Sequence, residues 1–378
     1  MRILIFIGGF FPGKKYGGPP VSVSNFCNIM SEDECYVVTK NHDKGDIESY
    51  PDIHSGWNDR RNAKVKYLSD EQYNENSFSR IIEDIHPDII YLQSLFDNST
   101  FACLKLAKAN HICVLLAPRG ELCAGAFKKK YKKIPFIIML RIFISMKNIY
   151  FQSTSDEETI AIKKYLGAPD DHIISLTNIP SLPEKTYKYH TKRLGEARFV
   201  FLSRIAPKKN LISAIKYFSN VSGNITFDIY GPVEDKTYWN HCTEMINKLP
   251  KNIHVNYCGL VSHNEVHDVF SGYDAFLFPT FSENFGHVIA EALLSGCRVI
   301  TSDQTPWTSC EGVLDAIPLH DNDGFVRAIQ KIVDSNEDQK SHERCIEYAK
   351  NFVQINKVKE EYKRIFDVIQ EDYYSNNR

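Results

Sequence analysis

Short apolar runs alternating with helical patterns, in two blocks, constrain this chain more than any other feature. In the first block, residues 3–7, 35–39, 89–92, 112–116 and 150–153 read as strands, with helices expected at 19–30, 78–85 and 100–109 between them. The second block repeats the rhythm with strands at 199–202, 226–230, 255–257, 275–278 and 299–301. Nearly continuous apolar strands separated by helices call for parallel sheets covered on both faces and joined by right-handed crossovers. The fold class is therefore α/β, and 378 residues are enough for two such domains. Residues 41–76 are polar and irregular and read as a long surface excursion. From Leu182 to Ala197 the chain is rich in Pro, Lys and Tyr and has no period, as expected of an interdomain linker. The domains are accordingly set at 1–182 and 198–350, with 183–197 as linker and 351–378 as a charged terminal helix.

A net charge of −2 gives no global attraction to nucleic acid, so any basic function must be local. One basic cluster stands out: Lys128, Lys129, Lys130, Lys132 and Lys133 precede the apolar run 134–140, with Arg141 and Lys147 beyond it. It reads either as a solvated face beside a core helix or as a basic, apolar-tipped helix resting on an anionic membrane. No aromatic platform accompanies it, which argues against nucleic acid. That apolar run falls far short of the roughly 20 residues a membrane-spanning helix needs. The apolar N-terminus has no small-residue cleavage site and reads as the first strand. Ten cysteines occur singly with no C-x-x-C pair, the pattern of a reduced, cytoplasmic compartment.

The chemistry concentrates in residues 278–307, a strand, loop, helix and strand. Pro279 closes the strand, and from Gly286 apolar residues fall at helical spacing. Gly296 ends the helix. The loop carries Glu283, Asn284, Phe285 and His287 at a helix start, where unpaired N–H groups and the helix dipole suit anionic or polyhydroxylated ligands. Glu291, two turns on, is placed to accept hydrogen bonds from a vicinal diol. Arg204 and Lys209 bracket the turn after strand 199–202 and would neutralise a pyrophosphate. Near the N-terminus there is neither a G-x-G-x-x-G nor a P-loop motif, but Gly17 and Gly18 before a helix permit close approach of an anionic group. Two patterns mimic metal sites. His263 and His267 have zinc-helix spacing, but Glu265 falls one position late for a metalloprotease. Asp321-Asn322-Asp323 has a D-x-D pattern yet reads as a helix cap.

The stretch from Glu283 to Glu291 resembles the E-x7-E signature of retaining GT-B glycosyltransferases of family 4. Residues 302–307 (Ser-Asp-Gln-Thr-Pro-Trp) resemble a subgroup that builds bacterial surface polysaccharides such as O-antigen and capsule. Arg204 and Lys209 fit the family's G-R-x-x-x-x-K-G donor motif, with Ser203 and Asn210 in place of its glycines. Pro118-Arg119-Gly120 resembles the subgroup's turn, and residues 229–235, with Gly231, resemble its next loop, which the resemblance puts near the nucleotide base. The resemblance implies two Rossmann-like domains facing a central cleft, with the last helix crossing back to the first. It implies transfer of a sugar, with retention, from a UDP- or GDP-linked donor to a hydroxyl of a saccharide. That acceptor is expected to be linked to undecaprenyl diphosphate at the inner face of the cell membrane. Glu283, Arg204 and Lys209 would be catalytic. Gly17, Gly18, Arg119, Gly231, Asn284, Phe285, Gly286, His287 and Glu291 would bind substrate, and no metal or other cofactor is expected. The other readings weighed are a nucleotide-sugar 2-epimerase, an idle binding subunit of the same fold and, least favoured, a nicotinamide dehydrogenase.

Overall fold

The structure, a computed structural model, describes residues 1–13, 15–16, 18–123, 127, 130–145, 149–176, 179–183, 185–188, 191–262, 265–283, 285–336 and 339–376. The chain divides into two compact units, Met1–Ile179 with Ile355–Arg378, and Pro180–Gln354.

In the first unit the strands are β1 (Arg2–Phe6), β2 (Glu34–Lys40), β3 (Trp57–Arg60), β4 (Ala63–Leu68), β5 (Ile89–Leu92), β6 (Cys113–Leu116), β7 (Ile149–Ser153) and β8 (Ile173–Ser175). They form one sheet in the order β3-β4-β2-β1-β5-β6-β7-β8, parallel throughout except for the β3–β4 hairpin. The helices are α1 (Gly18–Ile29), α2 (Glu75–Ile85), α3 (Asn98–Ala109), α4 (Lys130–Phe143) and α5 (Asp156–Leu166). Side chains of one strand feed two cores, as the twofold period of a strand requires. Leu4 and Phe6 pack with Phe78, Leu104, Leu140 and Ile162, whereas Ile3 and Ile5 pack with Phe26 and with Tyr362 and Phe366 of the C-terminal helix Ile355–Asn376. That helix presents Val358, Tyr362, Ile365, Phe366 and Ile369 at helical spacing, so the end of the chain completes the first unit's core.

The hairpin corrects the expectation of an irregular excursion over 41–76. Its turn residues Arg61 and Asn62 both have positive φ, +50° and +58°, the conformation that tight hairpins need. Ala63, Val65 and Tyr67 are buried, while Lys64 and Lys66 on the other face lie over the rings of Tyr36 and Trp57. The lysines gave the segment its polar look and hid the alternation.

The second unit contains β9 (Glu196–Leu202), β10 (Asn224–Tyr230), β11 (Ile253–Gly259), β12 (Ala275–Phe278), β13 (Arg298–Ser302) and β14 (Leu314–Ile317). Its helices are α6 (Leu211–Tyr217), α7 (Lys236–Ile246), α8 (Val266–Phe270), α9 (His287–Leu294), α10 (Asn322–Val333) and α11 (Gln339–Val353). The sheet order β11-β10-β9-β12-β13-β14 is parallel and doubly wound. Strand order reverses between β9 and β12, and ligands of such sheets bind beyond the carboxyl ends of the strands at that point. Described residues of the stretch 183–197, linker-like in composition, are fastened to this unit. Lys185 pairs with Asp268 at 2.5 Å, and the Tyr187 carbonyl lies 3.1 Å from His342 Nε2. Lys192 Nζ donates to the Val333 carbonyl at 3.1 Å. Among the described residues no helix is long and apolar enough to cross a membrane.

Candidate active site

Strands β9 and β12 lie side by side at the switch point of the second sheet, and the loop leaving each carries a charged group. The β9 loop makes a 3₁₀ turn at Pro207–Lys209 and enters α6 through Asn210, whose φ is +58°. A left-handed residue is required there, and Asn is the side chain that tolerates it best after glycine. The exchange of glycine for Asn210 therefore keeps the backbone shape. It also adds a bond, because the Asn210 amide donates to the Pro279 carbonyl of the β12 loop at 2.8 Å. The Phe281 N–H donates to the Lys208 carbonyl at 3.0 Å. So laced, the two loops bring Lys209 Nζ onto the Glu283 carboxylate, with the two side chains only 12% and 15% exposed. Burial lowers the Lys209 pKa, and Glu283 opposes that shift. Glu283 is fixed in turn by its N–H, which donates to the Gln304 carbonyl at 3.0 Å.

A third loop, after β10, closes on the first. Gly231 has φ of +131°, and a Cβ there would lie 1.9 Å from the Ser203 carbonyl oxygen, so only glycine allows this approach. Ile205 donates to the Pro232 carbonyl and Glu234 to the Ile205 carbonyl. Arg204, expected beside Lys209, pairs with Glu234 at 2.7 Å on the half-exposed side of the loop. The two cations thus engage different carboxylates.

Helix α9 begins after Gly286, whose φ is +77°, with His287 its first residue. Asn284 lies outside the described residues. Phe285 is buried edge-on against His287, and its carbonyl accepts from the indole of the fully buried Trp307 at 2.7 Å. Trp307 is itself stacked on Phe352 with centroids 3.9 Å apart, so the loop ahead of α9 is pinned from beneath. The helix ends at Gly296, where a Cβ would overlap the His342 ring.

Glu291 is buried. The Ser181 hydroxyl donates to its Oε1 at 2.8 Å, and the Ser295 hydroxyl donates to its carbonyl at 2.8 Å. His267 stands between these serines, Nε2 at 3.2 Å from Ser181 and Nδ1 at 2.8 Å from Ser295. Burial pushes the Glu291 carboxyl up to about 7 and the His267 imidazole down to about 4. Both shifts favour neutral forms. With both serine protons committed, a neutral imidazole has one N–H for two hydroxyl oxygens; protonating Glu291 frees Ser181 to turn its hydrogen towards His267.

In the first unit Gly17 lies outside the described residues, and Gly18 opens α1. Arg119 sits at φ +55° with its Nε donating to Gln93 Oε1 at 3.0 Å, and Gly120 donates its N–H to the fully buried Glu158. Glu121 staples this loop. It accepts from the Ser94 hydroxyl at 2.8 Å and the Leu95 N–H at 2.7 Å, and burial raises its pKa. At Gly8 and Gly9, which the sequence did not single out, an added Cβ would lie 2.6 Å from the Asp97 carboxylate and 2.1 Å from the Tyr16 ring. Of the metal look-alikes, His263 lies outside the described residues and His267 is held by serines. Asp321 caps α10, accepting from the Gly324 N–H at 2.8 Å.

With a doubly wound, largely parallel sheet in each unit, the chain has the GT-B fold. Residues 184–352, nearly all of the second unit, match the family model "Glycosyl transferases group 1". HepE from Anabaena, solved in complex with UDP and glucose, is similar over 97% of this chain and 100% of its own at 13% identity, with a TM-score of 0.71. The apo lipopolysaccharide outer core galactosyltransferase WaaB is 17% identical, covering 100% of this chain and 98% of its own, with a TM-score of 0.57. The UDP-N-acetylglucosamine–peptide N-acetylglucosaminyltransferase GtfA subunit of Streptococcus agalactiae is 30% identical over 145 residues, 37% of this chain and 27% of that protein. The match thus spans about a quarter of that curated relative.

Proposed function

We propose that the protein is a retaining glycosyltransferase that moves a sugar from a nucleotide-diphosphate donor, UDP- or GDP-linked, to a hydroxyl of a saccharide acceptor. The observation that carries this reading is the Lys209–Glu283 pair at the switch point of a group 1 domain. In the reaction the bond from the anomeric carbon to the β-phosphate oxygen breaks and a bond to the acceptor oxygen forms. The acceptor proton passes to the departing diphosphate. Lys209 and Arg204 stabilise the charge that develops on the leaving group, the role a divalent metal plays elsewhere. Glu283 and the backbone from Asn284 to His287 position the sugar, with the N–H groups at the start of α9 as donors. Gly231 shapes the loop beside the base, and the ribose diol takes the Glu291 oxygen that Ser181 holds. Gly17, Gly18 and Arg119 serve the first unit's share of substrate binding. The structure of HepE with UDP and glucose supports a nucleotide-sugar donor, and retention follows the resemblance of residues 283–291. The acceptor in this proposal is a lipid-linked saccharide of a bacterial surface polysaccharide, met at the cytoplasmic face of the membrane.

The test is incubation with UDP- and GDP-sugars, EDTA present, with release of free nucleotide measured and the product anomer read by NMR. A product of unchanged anomeric configuration is expected. An inverted product contradicts the retaining reading, and strict dependence on added metal contradicts the role given to Lys209 and Arg204. Catalysis that survives Glu283→Gln unchanged contradicts the site.

A further inference from the structure

Helix α4 is apolar on two opposite sides. Ile137 and Leu140, with Ile144 just beyond its end, are buried in the first unit's core. On the other side Tyr131, Ile134, Ile138 and Ile142 stand 72%, 38%, 53% and 70% exposed, joined near the end by Phe143. The spacing of three, four and four residues makes the first four a continuous stripe along the outer face. A helix apolar all round belongs in a core or against an apolar phase. Here the inner side has its core and the outer side faces solvent. Along the sequence the charges around the helix are all of one sign: between Glu121 and Asp156 there are seven basic residues and no acidic one, although the whole chain is net −2. By the helical period Arg141 flanks the stripe on one side, and in sequence Lys130 and Lys132 are the neighbours of Tyr131. Lys133 is spent inward, its Nζ donating to the Glu121 carbonyl at 3.0 Å and lying 4.5 Å from the Phe96 ring centroid. Lys128, Lys129 and Lys147 lie outside the described residues.

We propose that the outer face of α4 is a membrane-docking surface, lying in the plane of a bilayer with the Tyr131–Ile134–Ile138–Ile142 stripe among acyl chains and the flanking cations on anionic headgroups. The charge pattern selects this occupant. A second copy would set basic flank against basic flank, whereas an anionic lipid surface meets both the stripe and its rim. Docking rests on α4 alone, so it stands or falls independently of the nucleotide chemistry.

The test is flotation of the full chain with vesicles of equimolar phosphatidylglycerol and phosphatidylcholine, and with phosphatidylcholine alone. The chain is expected to float with the anionic vesicles, less so as salt rises. The double variant Ile138→Glu/Ile142→Glu should lose this binding by at least about tenfold. Its changes are on exposed positions, so its melting temperature and its response to UDP should match wild type; if it fails to fold, Ile142→Asn alone makes the same test. No flotation with anionic vesicles overturns the proposal, as does equal flotation of wild type and variant. Sedimentation velocity supplies the other contrary result: a wild-type dimer that the double variant splits, without vesicle binding, would assign the stripe to a second copy.

Discussion

Replacing Glu291 by Gln should invert the relative stability of the two proteins across neutral pH. Burial raises the Glu291 carboxyl from an ordinary value of 4.5 to about 7. Between those values the folded chain holds a proton that the unfolded chain has released, so raising the pH through this window costs wild-type stability. The group's contribution is complete below 4.5, declines up to about 7 and is gone above it. At 1.36 kcal/mol per unit, the window is worth roughly 3 kcal/mol. Gln carries no proton to lose, so the difference between wild type and variant should fall by about that amount from pH 5 to pH 8. The variant should be equal or slightly less stable in acid and clearly more stable in mild base. His267, whose pKa lies near 4, contributes stability above its ordinary 6.5 that is lost as pH falls through about 4. Across pH 5 to 8 the folded His267 stays neutral and the imidazole titrates only in the unfolded chain, which is alike in both proteins, so its contribution drops out of the difference. The assay is urea unfolding at four pH values, followed by the fluorescence of Trp239 and Trp307 in the second unit. A difference that stays constant with pH, or that grows in the other direction, would show that Glu291 is ionised in its pocket and refute the argument.

Gly231→Ala forces a Cβ against the Ser203 carbonyl at a backbone angle other residues avoid. It should destabilise the second unit by about 3 kcal/mol and abolish nucleotide binding, measured by calorimetry on the folded fraction. Trp307→Phe keeps the stack on Phe352 but removes the bond to the Phe285 carbonyl. Stability should drop by about 1–2 kcal/mol, and amide exchange in the loop before α9 should speed up; unchanged exchange would disprove the pinning role.

What the sequence disclosed and what it withheld follow from the range of the interactions. The strand, loop and helix around Glu283 were legible because Pro279, Gly286 and Gly296 act on their own neighbours. The pairing of Glu283 with Lys209 was half legible: each follows an apolar strand, but only the strand order β9-β12 makes them adjacent. Arg204 had the right charge and motif position, yet its partner Glu234 arrives from a third loop. The hairpin at 57–68 was masked by lysines on its outer face. The pocket of Glu291 could not be read at all, since Ser181 and His267 stand 86 residues apart and Ser181 and Glu291 110 apart. Residues 183–197 looked like a linker because composition does not register bonds such as that from Lys192 to a distant backbone carbonyl.

The most direct test of the account is calorimetric titration of UDP and of GDP, with EDTA present, into wild type and Lys209→Ala. Saturable binding of one of these nucleotides by wild type, weakened about tenfold or more in the variant, is the result predicted for a diphosphate site at the switch point of the second unit. Binding of neither nucleotide by a folded wild type, or equal affinity in the variant, would contradict it.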